Sequence, residues 1–309
     1  MLEENVDTQA PVTGPGSVAD GGVSIRGLEL DIVSGKGRKE ILRGISLDAP
    51  EGSITGVAGE SGSGKTMTGM TVCGLQPKHA HMRGHIWFKG IDLLQLSPRE
   101  LNKHRGVDIA MVFQDPTASL HPMLTIERQM TDHMRFHLGC NKKEARAKAI
   151  ELLEEVKVPH ASEALDKYPH QFSGGQLQRI AIASALAANP SVLIADEPTT
   201  ALDVTVQAGI LRLLRQLCDH HRLAIILVTH DLGVMSSLAD TIAVLRYGEV
   251  VEYGERQQII CKPEHRYTRD LIESLPQHRP PLTKVKVEDK PQKNGDENGT
   301  VTQGAQEDD

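Results

Sequence analysis

The sequence has few aromatic residues, few cysteines and no long apolar run. One Trp, four Tyr and four Phe among 309 residues predict a core that is mostly aliphatic. The four cysteines are far apart and form no CxxC pair, which argues against a disulfide framework and a zinc site. No apolar run approaches the roughly 20 residues that span a bilayer, and the acidic N-terminus does not resemble a secretory signal. We therefore expect a reduced cytosolic protein that acts on membranes only through a partner.

A surplus of basic residues is also missing. The formal net charge is −7, which argues against nucleic acid as the main partner. Residues 1–22 and 277–309 are rich in Gly, Pro, Thr or charged side chains and lack hydrophobic periodicity, so we expect a disordered leader and a disordered tail. The folded part is therefore predicted to span residues 23–276, and it contains no internal repeat.

The hydrophobic pattern of this folded part alternates between strands and helices. Two stretches, Val23–Ile32 and Ile41–Leu47, flank a Gly- and Lys-rich turn and predict a hairpin. Apolar runs without alternation at Val192–Ala195 and Ala224–Thr229 are typical of strands buried on both faces of a parallel sheet. Residues 97–188 are mostly helical by pattern. The predicted fold class is α/β, with a parallel-sheet core, an N-terminal antiparallel β subdomain and an inserted helical subdomain at about 97–188.

A glycine-rich loop follows the short apolar strand Ile54–Ala58. Its residues complete the pattern GxxxxGK[ST], and they are Gly59, Glu60, Ser61, Gly62, Ser63, Gly64, Lys65 and Thr66. Glycines let successive N–H groups face one phosphate, and the helix that starts at the loop adds its dipole. We expect Lys65 to reach the β and γ phosphates and Thr66 to offer its hydroxyl to Mg²⁺. The pattern predicts a P-loop NTPase core that binds a nucleotide.

Two adjacent carboxylates follow the apolar run at 192–195. Asp196 is in position to hold Mg²⁺, and Glu197 is in position to face the γ-phosphate and polarise an attacking water as a general base. Asp-Glu-Pro is also favourable turn chemistry, and taken alone the pair is equally well explained as a solvated turn. The glycine loop at 59–66 favours the functional interpretation.

A second Ser/Gly segment precedes an apolar helix. Ser173, Gly174, Gly175 and Gln176 stand at the N-terminus of the segment LQRIAIASALAAN. A helix start of this kind binds anions, although capping by Ser173 is the simpler explanation when the segment is taken alone. Because the chain already has one phosphate loop, the natural ligand of this second site is a nucleotide on another subunit.

Together the motifs resemble those of the nucleotide-binding subunit of an ATP-binding cassette (ABC) transporter, over roughly residues 23–276. The resemblance implies three further site residues. Gln114 is similar to the Q-loop glutamine, which senses Mg²⁺ and water and couples to the membrane partner. Asp203 belongs to a segment that resembles the D-loop at the dimer interface. His230 is similar to the switch histidine that contacts the γ-phosphate.

Two segments resemble those of the ATPases that serve dipeptide, oligopeptide and nickel importers. Residues 114–122 (QDPTASLHP) are similar to the QDPxxSLNP stretch of these ATPases, with His121 in place of Asn. Residues 263–271 (PEHRYTRDL) are similar to their P-x-H-P-Y-T-R-x-L segment, with Arg266 in place of Pro. Too few residues follow Gly254 for the regulatory barrel of sugar-importer ATPases.

Two positions depart from the family pattern. Ile32 stands where the family usually stacks an aromatic ring on adenine, so the resemblance implies that adenine rests on an aliphatic surface here. The C-terminal region contains only Cys261, so we expect none of the iron–sulfur clusters that some oligopeptide-type ATPases carry.

The resemblance implies an ATPase, dependent on ATP and Mg²⁺, that powers an importer from the cytoplasmic face of the cell membrane as a peripheral subunit. Its implied partners are integral membrane permeases, a second cassette that is identical or paralogous, and, indirectly, a periplasmic or lipid-anchored solute-binding protein. Two cassettes would sandwich two ATP molecules head to tail. One alternative is a cassette ATPase of a soluble complex, such as the phosphonate carbon–phosphorus lyase assembly. Another is a DNA-repair or translation-factor switch, which needs coiled-coil insertions or a second cassette that this sequence lacks.

Overall fold

Two β-sheets organise the chain, of which the computed structural model describes residues 21–35 and 37–274. The strands in these residues are β1 (Val23–Ser34), β2 (Gly37–Ala49), β3 (Ile54–Ala58), β4 (Ala80–Phe88), β5 (Ile91–Asp92), β6 (Ile109–Val112), β7 (Val192–Asp196), β8 (Ala224–Val228), β9 (Thr241–Arg246) and β10 (Glu249–Glu255). One sheet has the order β10-β9-β3-β8-β7-β6, and the other has the order β2-β1-β4-β5.

The six-stranded sheet is parallel except for its edge strand β10. Every residue of β3, β7 and β8 is buried, so these strands have apolar runs without alternation. Successive side chains of β8 nevertheless enter different cores: Ile225 and Leu227 face the cluster under the helices, and Ile226 and Val228 face the cluster under the second sheet. The predicted parallel-sheet core is therefore present.

The four-stranded sheet is antiparallel and contains the predicted hairpin. β1 pairs with β2, with Val23 opposite Ala49, and β4 pairs with the other edge of β1. Apolar residues of β1 and β2 pack against the face of the parallel sheet that Val57 and Ile226 share. β4 was not predicted, because its first six residues are exposed or only half-buried and carry little apolar signal.

Helices pack on both faces of the parallel sheet and fill most of the stretch between β6 and β7. They are α1 (Lys65–Val72), α2 (Pro98–His104), α3 (Pro116–Ser119), α4 (Ile126–Leu138), α5 (Lys142–Glu155), α6 (Ala161–Ala164), α7 (Gly174–Leu186), α8 (Val204–His221), α9 (Leu232–Leu238), α10 (Arg256–Cys261) and α11 (Arg266–Glu273). Short 3₁₀ turns occupy Leu93–Gln95 and Pro169–Gln171. No helix among residues 21–35 and 37–274 has the length and apolar character needed to cross a membrane.

The stretch at 97–188 is not helical throughout. Ile109–Val112 forms β6, which pairs with β7 at the edge of the parallel sheet, a strand that the mostly helical pattern did not reveal. The apolar run IAMV lies among segments with helical periodicity, and in that context a short run is not distinguished from a buried helix segment. Helices α3 to α6 do fill the rest of the insertion up to α7, and α5 begins where Asn141 caps it. The predicted tail at 277–309 and residues 1–20 of the predicted leader lie outside the described residues.

Candidate functional site

The phosphate loop at 59–66 is held by close backbone approaches on two sides. Gly59 has φ +143°, and a Cβ there would lie 2.2 Å from the carbonyl oxygen of Leu245. Gly64 has φ +105°, and a Cβ there would lie 2.8 Å from Leu42 Cδ2. Both positions need a residue without a side chain that accepts left-handed backbone. The loop is therefore packed between β2 and the end of β9.

The side chain of Lys65 turns back into this loop and is almost fully buried. Its Nζ donates to the carbonyl oxygens of Gly59, at 2.8 Å, and Glu60, at 2.7 Å. Burial lowers the pKa of Lys65, and the negative charges of Glu197 and Asp196 oppose that effect. The result is a partly desolvated cation beside loop N–H groups, an arrangement that suits binding of a polyanion.

Asp196 ends β7 as a buried carboxylate beside the start of α1. The hydroxyl of Thr66 donates to its Oδ1 at 3.0 Å. Burial raises the pKa of Asp196, and the hydrogen bond from Thr66 acts against that rise. A hydroxyl and a carboxylate oxygen side by side are hard ligands of the kind that Mg²⁺ prefers, so the donor set fits the predicted cation.

Glu197 is the residue on which the most side chains of the site converge. Its φ is +45°, and its N–H donates to the carbonyl of Val228 at 2.8 Å. His230 Nδ1 lies 2.9 Å from Oε1, while Oε2 accepts from Thr200 Oγ1 at 2.8 Å and from Gln114 Nε2 at 3.4 Å. Burial raises the pKa of Glu197, but the hydrogen bonds of His230 and Thr200 outweigh it and hold the pKa below its ordinary value. The carboxylate therefore stays ionised and oriented.

The phosphate loop and the side chains around Glu197 lie at one edge of the parallel sheet. The phosphate loop leaves β3, Gln114 follows β6, Asp196 and Glu197 end β7, and His230 follows β8. The carboxyl ends of parallel strands meet at one edge, and ligands bind there in open α/β sheets. The structure thus brings together the predicted residues of the loop with Gln114, Asp196, Glu197 and His230.

The second Ser/Gly segment has a local hydrogen-bond pattern of its own. Ser173 caps α7: its Oγ accepts from the N–H of Gln176 at 3.4 Å, and Gln176 Oε1 accepts from the N–H of Ser173 at 3.0 Å. Ser173 and Gly174 are exposed. Within residues 37–274, no hydrogen bond joins this segment to the phosphate loop. The described hydrogen bonds therefore do not connect the two glycine-rich segments of one chain.

Comparisons with known proteins agree with this geometry. The family model for ABC transporters matches residues 42–200, and the model for the C-terminal region of oligopeptide/dipeptide transporters matches residues 251–300. The dipeptide transport ATP-binding protein DppD of Bacillus subtilis is 43% identical over 256 residues, across 82% of this chain and 76% of that protein. The chain belongs to the ABC transporter family. The oligopeptide transport ATP-binding protein OppD of the same organism is 42% identical over 256 residues, across 82% of this chain and 72% of that protein.

Solved ABC cassettes share the fold. The dimeric structure of a post-hydrolysis state of the ATP-binding cassette MJ0796, bound to ADP and Pi, matches with a TM-score of 0.67 and 31% identity, covering 76% of this chain and 98% of that one. cbiO1 from Clostridium perfringens, part of the ABC transporter complex cbiONQ, matches with a TM-score of 0.67 and 26% identity, covering 82% and 95%. The α/β P-loop NTPase fold predicted from the sequence is confirmed, and the chain is an ABC ATPase.

Asp203 and Ile32, two further predicted site residues, are not among the side chains that contact Glu197. Asp203 caps α8, and its Oδ1 accepts from the N–H of Val206 at 2.9 Å. Ile32 lies in β1 opposite Lys39 and Ala80, half-buried against the core under the antiparallel sheet. Its place in the hairpin is as predicted, while a contact with adenine stays a prediction.

Two residues of the ABC site were missed from the sequence. Thr200 starts the segment that resembles the D-loop, and a hydroxyl three residues after Glu197 is well placed to return to it across a turn. Tyr267 lies in the C-terminal segment 263–271, and its hydroxyl accepts from the backbone N–H of Glu60 in the phosphate loop at 3.0 Å. No local sequence pattern predicts a contact between residues 207 positions apart.

Proposed function

We propose that this chain is the ATP-hydrolysing subunit of an ABC importer for dipeptides, oligopeptides or a related solute such as nickel. The observation that carries the proposal is the carboxylate of Glu197, ionised and held by three side chains beside the phosphate loop. The match of residues 251–300 to the C-terminal region of oligopeptide/dipeptide transporters supports the cargo class. The similarity to DppD and OppD, which are dipeptide and oligopeptide transport ATP-binding proteins, supports it as well.

ATP would bind with its phosphates in the loop at 59–66. The N–H groups of the loop and the N-terminus of α1 stabilise negative charge, and Lys65 exchanges its carbonyl partners for phosphate oxygens. Thr66, Asp196 and Gln114 are the residues that would hold Mg²⁺. When bound, Mg²⁺ neutralises phosphate charge that would otherwise repel an attacking oxygen.

Glu197 would accept a proton from the attacking water. Its lowered pKa keeps it in the acceptor form at neutral pH, and the hydrogen bonds from His230 and Thr200 orient its two oxygens. The neighbouring carboxyl of Asp196 has its pKa shifted the opposite way by burial. Two adjacent acids in such different environments support a division of roles between general base and metal ligand.

A second cassette would complete each site. The exposed N-terminus of α7, with Ser173, Gly174, Gly175 and Gln176, has no hydrogen bond to the phosphate loop of its own chain within residues 37–274, which supports a role toward ATP on the partner. Asp203 would lie at the dimer interface, and Ile32 would contact adenine. The relative MJ0796 is described as dimeric, which supports the same assembly here.

The membrane partner would bind beside the helical insertion. Phe113 follows β6 directly before Gln114, and Met123 and Phe136 lie between α3 and the end of α4; all three apolar side chains are exposed. Integral membrane permeases would cover them, with a solute-binding protein acting from the other side of the membrane. The chain would then sit peripherally on the cytoplasmic face of the cell membrane.

The substitution Glu197→Gln tests the catalytic proposal. Gln keeps the size of the side chain but accepts no proton, so ATP binding should persist while turnover falls by about 10²- to 10⁴-fold. Glu163→Gln, on the exposed surface of α6, is the matched control and should leave both unchanged. Hydrolysis at the wild-type rate in Glu197→Gln would contradict the role of Glu197. The cargo class is tested by uptake of a labelled dipeptide in cells that lack the chain, with and without restoration of the wild-type protein.

A further inference from the structure

The C-terminal helix α11 reaches the phosphate loop through one buried side chain. The hydroxyl oxygen of Tyr267 accepts a hydrogen bond from the backbone N–H of Glu60 at 3.0 Å, although the two residues are 207 positions apart. Tyr267 is only 5% exposed. The bond is part-buried, and it supplies an acceptor to a backbone donor for which no partner within the curled loop is present among the described residues.

The same peptide group is held from its other end. Glu60 N–H and Gly59 C=O belong to one peptide unit, and Gly59 C=O accepts from Lys65 Nζ at 2.8 Å. The unit is thus fixed between the hydroxyl of Tyr267 and the ammonium of Lys65. Gly59 restricts rotation of this unit less than other residues would, because it lacks a Cβ. The orientation of the peptide is therefore set by these two side chains together with the backbone of Leu245, which packs against Gly59.

Tyr267 is itself fixed by its surroundings. The guanidinium of Arg246, the last residue of β9, lies 4.7 Å from the centroid of the Tyr267 ring. The carboxylate of Glu252 on β10 accepts from the N–H groups of Glu264, at 2.8 Å, and His265, at 3.2 Å, which ties the start of α11 to the sheet. The hydroxyl therefore comes from a rigid support rather than from a loose terminus.

We propose that Tyr267 is a positioning residue of the nucleotide site, which orients the Gly59–Glu60 peptide and through it Lys65 so that the phosphate loop is ready for ATP. The inference rests on the proposed function and deepens it, because it gives α11 a part in setting nucleotide affinity. A loop that holds the binding geometry only part of the time binds more weakly in proportion to that fraction. Once phosphates are bound, they order the loop themselves.

Tyr267→Phe removes one oxygen atom and keeps the ring beside Arg246. We expect the KM for ATP and the Kd for ATP to rise by roughly three- to tenfold, the equivalent of one hydrogen bond. The kcat at saturating ATP should stay within about twofold of wild type. The contact is expected to strengthen the binding of ATP and of the transition state equally, so its loss changes KM and not kcat. Hydrogen–deuterium exchange should become faster in the peptide that contains Glu60.

Tyr253→Phe is the matched control. Tyr253 lies on β10, and its hydroxyl contacts the backbone of Asp48, at 3.4 Å from the nitrogen and 3.3 Å from the carbonyl oxygen. Among the described hydrogen bonds, neither of these contacts involves the phosphate loop. This variant loses the same atom from a similar backbone contact, so it reports the general cost of removing such a hydroxyl. It should leave the KM for ATP and the exchange at Glu60 unchanged.

Three results would overturn the inference. They are an unchanged KM in Tyr267→Phe, an equal rise of KM in Tyr253→Phe, and a fall of kcat by more than about tenfold at constant KM, which would point to a role in the chemical step. If the wild-type chain neither binds nor hydrolyses ATP in these titrations, the proposed function itself fails. That outcome is distinguishable because it needs no variant.

Discussion

The chain has two glycine-rich segments at helix N-termini, and they are built differently. The phosphate loop at 59–66 is held by remote parts of the chain: Leu245 O lies against Gly59, Leu42 lies against Gly64, and Tyr267 binds the N–H of Glu60. The segment at 173–176 is exposed and capped mainly by its own side chains. The first loop is preorganised by the fold around it, whereas the second is a local structure presented at the surface.

This difference predicts different responses to substitution. A change in the phosphate loop should disturb folding and binding within one chain, because the loop is packed from two sides. A change in the segment at 173–176 that keeps the helix cap and the packing of Gly175 against Val206 should disturb mainly an activity that needs two chains. Substitutions at Gly59, Ser173 and Gly175 test that contrast, and we expect the effect on stability or hydrolysis to decrease in that order.

Gly59→Ala should have the largest effect. Its Cβ would lie 2.2 Å from Leu245 O in a left-handed backbone conformation, so steric overlap and strain add to about 3 kcal/mol or more of lost stability. Nucleotide binding should be lost as well. Gly62→Ala is the comparison: it shares a positive φ of +81° but meets nothing within 4 Å, so only about 1–2 kcal/mol of strain is expected. Thermal denaturation measures both, and equal losses would show that packing around Gly59 is not what holds the loop.

Ser173→Asp separates the two roles of Ser173. Asp caps helices as well as Ser does, so the melting temperature should change by no more than about 2 °C. The added negative charge would face the phosphates of a partner's ATP, so hydrolysis should fall by at least about tenfold while ATP binding to the single chain persists. Ser173→Ala instead should cost about 1 kcal/mol of stability through loss of the cap. Full hydrolysis in Ser173→Asp would mean that Ser173 serves only as a cap.

Gly175→Ala should have the smallest of the three effects. A Cβ there would lie 2.5 Å from Cγ1 of Val206 on α8, and a valine in a helix has few other rotamers. We expect a loss of about 1–2 kcal/mol and its recovery in the double variant Gly175→Ala/Val206→Ala. Gly174→Ala, whose Cβ would lie 3.7 Å from Leu202, should be neutral or slightly stabilising. Denaturant titration of the wild type and the three variants measures the free energy of unfolding. A double variant that is no more stable than Gly175→Ala would contradict the packing argument.

Most of the site could be predicted because its signals are local. The strands β3, β7 and β8 have short continuous apolar runs, and the residues that follow them carry the chemistry. β6 was missed although its apolar run IAMV is as long as the run VLIA of β7, because it lies among segments with helical periodicity. Its position matters because it sets Gln114 within reach of Glu197.

Contacts between distant parts of the chain could not be predicted. Tyr267 and Glu60 meet because β9 and β10 return the chain to the side of β3, and no spacing or periodicity encodes that approach. The same holds for the approach of Val206 to Gly175. The sequence showed which residues carry chemistry, whereas the support that orients them became visible only in three dimensions.

The position of β3 has a consequence for the order in which the protein can be made. β3 pairs only with β8 and β9 within the described residues, so the strand that leads into the phosphate loop is synthesised long before either strand that it pairs with. At ribosomal rates, Ile225 is added to the chain roughly ten to thirty seconds after its partner Ile54. During that time the five residues of a central strand, all buried in the folded protein, have no strand to pair with, which makes the nascent chain a candidate for chaperone binding until β8 emerges.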